Sequence, residues 1–311
     1  KILTSAFSSL QSGRPRPVGV EVPVNIWNSQ VEKVSDNLIG HPDQGPNVNT
    51  DRIKEAASIL NSSKRPVIVV GGGAQNFSIE INNLSSSLSA PVIAFRNGHG
   101  VVDGSSQLSV TLPAGRELWG HCDVVLALGT RCQTAQMQWG VDDQMKIIHI
   151  DIDQDEIGRI NEPELGINAD LKDALPLLLR SIEGKEEYRN DWLKTINEVK
   201  LRYSKMFDEK LAPQLAWLSA IRAELPRDGI FVDELTQVGY VSRFAFPSYK
   251  PRTFLSTGYQ GTLGWGIASA MGAAHARRDV PVVSISGDGG ALYTISELAT
   301  AARHKIPITS I

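Results

Sequence analysis

Apolar residues in this chain follow two alternating rhythms. Short runs dominated by Val, Ile and Leu have no polar alternation and read as strands buried on both faces. They are Pro66-Val-Ile-Val-Val70, Asp123-Val-Val-Leu-Ala-Leu128 and Lys146-Ile-Ile-His-Ile-Asp151. Between them the apolar period lengthens to that of a helix. Thr50 stands where it can cap a helix over 51–61, and a helix near 77–88 leads to a strand at 91–95. A short strand at 166–169 and a helix at 171–182 close the stretch. Apolar strands alternating with helices predict an α/β unit over 50–182, a doubly wound parallel sheet of Rossmann-like type.

A second α/β unit is predicted over 213–311. It opens with a helix at 213–225 and the strand Gly229-Ile-Phe-Val-Asp233, then a loop, Glu234 to Gly239, and another helical stretch. A short strand, Thr253-Phe-Leu-Ser256, precedes a Gly-rich loop over 258–266 and a helix of small residues from Ile267. Strand 281–286 follows, and a last apparent strand runs over 307–311. The two units are joined by a charged helical linker over 183–212. Its residues Tyr188, Trp192, Ile196, Val199 and Tyr203 repeat at helical spacing, a stripe suited to packing. Ahead of both units, residues 1–12 read as a helix with Ile2, Leu3, Ala6, Phe7 and Leu10 on one face. The alternating Val18-Gly-Val-Glu-Val-Pro23 reads as a strand, with Glu21 toward solvent, and 24–49 as a polar linker rich in Pro, Gly and Asn. The chain begins at Lys1 inside one apparent helix and stops at Ile311 inside an apparent strand. These ends lead us to expect a piece of a longer protein.

Composition narrows the classes. The 311 residues are 41% hydrophobic and 21% charged, the profile of a globular protein of about two domains. A net charge of −3 provides no basic surface for nucleic acid or an anionic membrane. No apolar run approaches the ~20 residues that span a bilayer. Two cysteines, Cys122 and Cys132, form neither a metal-ligand spacing nor a disulfide framework, which suits a cytoplasmic protein.

Candidate chemistry concentrates at residues 282–298. The buried run ends abruptly at Gly287-Asp288-Gly289-Gly290, and a helical pattern with Ile295, Leu298, Ala299 and Ala302 on one face follows. A carboxylate thus stands among glycines at the carboxyl end of a strand, where open α/β sheets bind ligands. Glycines admit a phosphate to the backbone, and Asp288 would repel it unless a cation lay between. Mg²⁺, which takes hard oxygen ligands and shares them with phosphates, is the expected bridge. Thr294-Ile-Ser-Glu297 has the spacing of a capping box, so the helix is expected to start at Thr294. Two other patterns carry less. Gly71-Gly72-Gly73-Ala74 follows a strand like a dinucleotide fingerprint but lacks its third glycine and its acidic partner, which argues against an NAD-linked dehydrogenase. His149-Ile-Asp151-Ile-Asp153 could align three ligands on a strand, but Asp153 is better read as a helix cap.

The Gly-Asp-Gly stretch resembles the start of the thiamine diphosphate (ThDP) motif. With Glu297-Leu-Ala-Thr-Ala-Ala-Arg303 and Ile306-Pro-Ile308 it looks like the acetolactate synthase and benzoylformate decarboxylase group of that superfamily. The resemblance covers nearly the whole chain. It implies the end of a pyrimidine-binding domain at 1–23, a central domain at 50–182 and the first part of a diphosphate-binding domain at 213–311. Gly287, Asp288, Gly289 and Gly290 would hold the diphosphate, with Asp288 on Mg²⁺. Gly261-Thr262-Leu263-Gly264 resembles the family's Gly-Thr-Met-Gly and makes Leu263 the expected wedge beneath the bent cofactor. Gln237-Val238-Gly239-Tyr240 resembles a diphosphate-contacting Val-Gly-Gln-His, which makes Gly239, through its amide, and Tyr240 expected cofactor contacts, although Tyr240 departs from the family's residue. Gly98-His99-Gly100 and Arg131 lie where acetolactate synthases contact FAD, a loose match. The proton-relay Glu and a metal-binding Asn of the family would lie outside these residues, and the isolated piece is expected to be inactive. The implied activity is decarboxylation of a 2-keto acid and ligation of the resulting enamine to a second carbonyl, in a homodimer or homotetramer. A simple 2-keto acid decarboxylase is the alternative, and a non-catalytic relative a further one.

Overall fold

A computed structural model of the chain describes residues 2–30, 45–184, 189–258 and 260–311. Tyr188 and most of the linker at 31–44 lie outside the described residues. Both predicted units form, each around a parallel sheet. The first sheet has six strands: β1 (Pro66–Val70), β2 (Val92–Ala94), β3 (Ser109–Val110), β4 (Val124–Leu128), β5 (Lys146–Asp151) and β6 (Leu165–Asn168). Their order is β3-β2-β1-β4-β5-β6. Each central strand is buried on both faces because helices cover both. Ile68, Val70, Leu126, Leu128, Ile148 and Ile150 face α2 (Thr50–Ser62), α3 (Ser78–Leu88) and α5 (Leu171–Ser181). Val67, Val69, Val125, Ala127 and Ile147 face α4 (Leu112–Trp119) and α6 (Asn190–Lys210). This period-two partition of an unbroken apolar run is what a three-layer α/β/α sandwich requires.

The second sheet has the order β10-β9-β7-β8, all parallel. Its strands are β7 (Ile230–Val232), β8 (Phe254–Leu255), β9 (Val282–Ser284) and β10 (Thr309–Ser310). On one face α7 (Ala212–Glu224) and α8 (Gln237–Ala245) pack through Leu218, Ile221, Val241 and Phe246 onto Phe231, Phe254 and Ile285. The other carries α9 (Trp265–Ala276), whose Ala270 and Ala274 rest on Ile230, Val232 and Val282. The small-residue run thus brings a helix close to the sheet.

Several local expectations are revised. Helix α2 is capped by Asn49, one residue before the expected Thr50, because the Asn49 carboxamide accepts from the amides of Asp51 and Arg52. Residues 18–23 form no strand: Val18, Val20 and Val22 are exposed, and alternation without a partner strand makes no ladder. Glu21 is exposed, as expected. Helix α1 (Ile2–Gln11) forms, with Ile2, Leu3 and Phe7 also exposed. Elements β3 and α4, and the π-turn at Ala135–Trp139, were not foreseen. The predicted linker helix is α6, and Trp192, Ile196 and Val199 bury it in the first unit's core. Its far end carries Phe207, which meets Phe244 of α8 at 5.1 Å between ring centroids. It is therefore a strut shared by both units rather than a tether. Arg189, immediately before it and 1% exposed, donates to Ser63 O (3.1 Å) and Leu60 O (2.9 Å), carbonyls at the end of α2. Arg189→Met removes both donors inside the protein and is expected to cost about 3 kcal/mol, read as a lower urea midpoint at unchanged m-value.

The two units meet along a backbone seam. Gly104 N donates to Ser248 O (2.8 Å), Arg252 N to the Gln75 carboxamide (2.8 Å), and Arg96 to Gly258 O. Within the seam His99 stacks on Phe254, with ring centroids 4.6 Å apart, and its Nε2 is buried without a partner among the described residues. Burial pushes its pKa down to about 4, against a smaller opposing pull from a hydrogen bond to the Arg243 backbone. The folded state therefore holds a neutral ring where the unfolded chain, titrating near ~6.5, takes up a proton. The stabilisation is whole above about pH 6.5 and drains as pH falls toward about 4, by up to about 3 kcal/mol. His99→Gln should remove that part of the acid sensitivity: urea unfolding at pH 7 and pH 4.5 should show a smaller pH-dependent loss than in the parent. Equal losses in the two proteins would exclude His99 as the source.

Candidate active site

Strand order locates the crevices. In the second sheet, β7 is followed by β8 on one side and then by β9 on the other, so the chain reverses direction between β7 and β9. Loops leaving adjacent strands in opposite directions open a cleft at their carboxyl ends. The residues there are Glu234 to Val238 after β7 and Ile285 to Asp288 after β9. Of these, Thr236, Gln237, Val238, Ile285, Ser286 and Gly287 line a cavity of about 270 Å³ with Trp217 and Ile311.

The Gly-Asp-Gly-Gly segment stands at this rim. Gly287 is the N-cap of a short helix, α10 (Asp288–Thr294), that was not expected. Thr294 stands at the N-cap position of the 3-10 turn Ile295–Glu297 leading into a further helix, Leu298–His304, so a helical start does fall there but without a side-chain cap. The Thr294 hydroxyl is engaged elsewhere, donating to Gly264 O at 3.2 Å. Asp288 occupies the first turn of α10, where a helix N-terminus favours negative charge, and it is exposed. Space beside Gly289 is open: a Cβ there would meet nothing within 4 Å. Gly290 is glycine for a different reason, since a Cβ would lie 2.5 Å from the Glu234 carboxylate. An exposed acid at the switch point beside uncovered backbone suits a hard cation that carries a phosphate. No cluster of three or more acidic, His or Cys side chains stands ready for a metal among the described residues, so the cation would need oxygens from its ligand and from elsewhere.

The loop from Gly258 to Gly264 approaches the same rim. Gly258, Gly261 and Gly264 have φ of +67°, +58° and +81°. Thr262 and Leu263 project from it, Leu263 being 47% exposed. Gly264 abuts Tyr293 and Thr294 at the end of α10, which brings the Leu263 loop beside the Gly-Asp-Gly helix.

Residues 237–240 behave otherwise than expected. Gly239 and Tyr240 lie within α8, not in a loop. The Gly239 amide donates to the Thr236 hydroxyl (2.8 Å) and the Tyr240 amide to Thr236 O (2.8 Å), so neither amide is offered to a ligand. Gly239 is glycine because a Cβ there would overlap the Glu234 carbonyl. Thr236, Gln237 and Val238 face the crevice in their place.

The sequence alone assigns no role to Glu234. It is 1% exposed, and its carboxylate accepts from Gly264 N (2.6 Å) and Gly266 N (3.2 Å) at the start of α9. Its neighbour Asp233 is fully buried and pairs with Arg243 Nε at 2.7 Å. Burial raises the Asp233 pKa, with Arg243 and Ser256 opposing. Consecutive acids at the end of an apolar strand point to opposite faces. That Asp-Glu pair was the available signal.

The first sheet has its own switch point between β1 and β4, with a cavity of about 660 Å³ at the carboxyl ends. Gly71, Gly72, Gly73, Thr130, Arg131 and Asp151 line it, together with Arg14 and Lys172. Gly71 and Gly73 pack on Gly129: a Cβ at either would come within 3.0 Å of its backbone. Gly72–Ala74 themselves form a 3-10 turn rather than a helix start, so they are not a dinucleotide fingerprint. Asp153 caps the turn at Gln154–Glu156 through Asp155 N, as expected, and also pairs with Arg16. His149 is tied to Thr130 O at 2.8 Å. Gly98 and Gly100 do not face this cavity as flavin contacts. Gly98 packs on Val70 O and Gly100 on Lys250 O at the seam.

Residues 53–178 match the family model of the thiamine pyrophosphate enzyme central domain, and 236–311 that of the C-terminal TPP binding domain. The chain is 27% identical over 323 residues to acetolactate synthase isozyme 1 large subunit of Escherichia coli, covering 100% of this chain and 57% of that protein. It is 31% identical over 338 residues to a probable acetolactate synthase large subunit of Methanocaldococcus jannaschii, covering 98% and 56%. To the chloroplastic acetolactate synthase of Arabidopsis thaliana it is 31% identical over 337 residues, covering 99% and 49%. The chain thus spans about half the length of these curated relatives. No helix among the described residues is long and apolar enough to cross a membrane.

Proposed function

Because the chain belongs to the thiamine pyrophosphate enzymes, with acetolactate synthase large subunits among its relatives, we propose that the full-length protein is a ThDP- and Mg²⁺-dependent carboligase. It decarboxylates a 2-keto acid and joins the remaining acyl unit to a second carbonyl compound. The observation that carries this reading is Asp288, an exposed carboxylate at the β7/β9 switch point, on a helix start with open backbone beside it. Asp288 would hold Mg²⁺, and Gly287, Gly289 and Gly290 would leave room for the diphosphate. Leu263, with Gly261 and Thr262 shaping its loop, would support the bent cofactor from below. Bound ThDP supplies the carbanion chemistry, while the protein supplies orientation and exclusion of water. Glu234 is 1% exposed and accepts from the Gly264 and Gly266 amides at the start of α9, which supports a structural role for it rather than that of the proton relay.

The same reading assigns FAD to the cavity between β1 and β4. Arg14, Arg96, Arg131 and Lys172 offer cations to a pyrophosphate, and Asp151 and Asp170 offer acceptors to ribose hydroxyls. A homodimer or homotetramer is supported by the exposed Leu292, Tyr293 and Ile295 beside the Gly-Asp-Gly turn, which soluble monomers rarely display together. Both cysteines are free and buried, consistent with a reducing compartment such as the cytoplasm.

Product analysis tests the reaction. With pyruvate, ThDP and Mg²⁺, the full-length protein should form acetolactate; acetaldehyde alone would make it a simple decarboxylase, and no turnover of any 2-keto acid would refute the reading. A flavin absorption spectrum after gentle purification is expected, and a colourless protein that takes up no added FAD would empty the central cavity of that role.

A further inference from the structure

Glu234 is a buried carboxylate that pairs with no cation among the described residues. Burying such a charge is costly unless fixed dipoles replace water around it. Those dipoles are the amides of Gly264 and Gly266, at the start of the twelve-residue α9. The carboxylate touches a third element as well. It lies so close beneath Gly290 that any side chain there would strike it, with a Cβ reaching within 2.5 Å of Oε1. One carboxylate therefore binds the end of β7, the end of the Leu263 loop and the first turn of α10.

Gly264 is held from both sides. Its N–H is taken by Glu234 and its carbonyl by the Thr294 hydroxyl at 3.2 Å. Its φ of +81° lies in the left-handed region, which only glycine enters readily, and a Cβ would crowd Tyr293 at 2.9 Å. Leu263 is the adjacent residue, so fixing the Gly264 peptide fixes where Leu263 projects.

We propose that Glu234 is a positioning residue for cofactor geometry. With Thr294 it latches Gly264, and so sets the height of Leu263 over the Gly-Asp-Gly-Gly turn. This rests on the ThDP reading above. Glu234 neither ligates the metal nor exchanges protons with substrate. It fixes the spacing between the metal-diphosphate clamp and the side chain that bends the cofactor.

The test uses the full-length protein with Glu234→Ala, Glu234→Gln, Thr294→Val, Leu263→Ala and the Glu234→Ala/Leu263→Ala double variant. Amide hydrogen exchange without cofactor reads the latch itself. Exchange at Gly264 and Gly266 should accelerate at least about tenfold in Glu234→Ala. Glu234→Gln keeps one acceptor oxygen and should retain protection at one of the two amides. Calorimetry should show ThDP affinity in Mg²⁺ within about threefold of the parent, since the clamp is untouched. Proton exchange at the thiazolium C2 of bound ThDP, followed by NMR, should slow at least about tenfold in Glu234→Ala and in Leu263→Ala. The double variant should be no slower than the worse single one, because the two act as a unit. Unchanged amide protection in Glu234→Ala, or losses that multiply in the double variant, would overturn the proposal. A parent protein that takes up no ThDP would instead overturn the functional reading, and the latch would then stand or fall on amide protection alone.

Discussion

Asp288→Ala in the full-length protein should weaken Mg²⁺-dependent ThDP binding roughly 100-fold or more, equivalent to about 3 kcal/mol. The size follows from what Asp288 does and does not do. It is exposed and stands on the first turn of α10, at the second sheet's switch point, where the chain leaves neighbouring strands in opposite directions. Removing it would delete the proposed metal ligand without opening a core. Thermal stability without cofactor should therefore change by no more than about 0.5 kcal/mol. Asp288→Asn, which keeps the shape and loses the charge, should fall between parent and Ala. Calorimetric titration of ThDP in Mg²⁺ and in chelator measures this: the parent should lose affinity in chelator, and Asp288→Ala should bind weakly in both. Equal affinities of parent and variant in Mg²⁺ would remove Asp288 from the site.

The largest stability effect is expected at Gly100. Its φ is +80°, and a Cβ would overlap the Lys250 carbonyl across the seam between the two units. The conformational penalty for an L-residue there is about 1–2 kcal/mol. The overlap involves backbone on both sides, so no side chain can swing away to relieve it. Gly100→Ala should cost about 4 kcal/mol in all. It should do so by parting the seam at Gly104–Ser248 and His99–Phe254, with the first sheet intact. Amide exchange should show β7 and β8 losing protection while β1, β4 and β5 keep it. A variant as stable as the parent would mean that Lys250 yields freely, which would contradict a tight seam. His99 and Gly100 thus dock the two units on each other, while Gly98 packs on β1.

How much could be read from sequence depended on how local the cause was. Strands β1, β4 and β5 were legible because burial on both faces leaves an apolar run with no other use. The stripe of α6 was legible for the same reason, though not its role as a strut, since nothing in Trp192, Ile196 and Val199 says which surface they meet. Strand β3 is two residues long and exists because β2 is beside it, so it leaves no pattern. Val18, Val20 and Val22 show the reverse case, an alternation without a neighbour. At Thr294 a helical start was legible but the capping box does not form, because the hydroxyl is committed to Gly264. The Gly-Asp-Gly-Gly corner was visible as chemistry, since a lone acid among glycines after a buried strand has few structural uses. Glu234 was not, because its partners lie thirty and more residues away and are backbone amides.

The central claim is that Asp288 anchors a cation which in turn holds a diphosphate at the β7/β9 rim. The most direct measurement is a crystal structure of the full-length protein with ThDP and Mn²⁺ in place of Mg²⁺, with the metal located by its anomalous scattering. The account predicts an anomalous peak about 2.1 Å from an Asp288 carboxylate oxygen, bridged to the diphosphate. A metal and diphosphate bound with Asp288 out of coordination range, or a rim left empty at saturating ThDP, would contradict it.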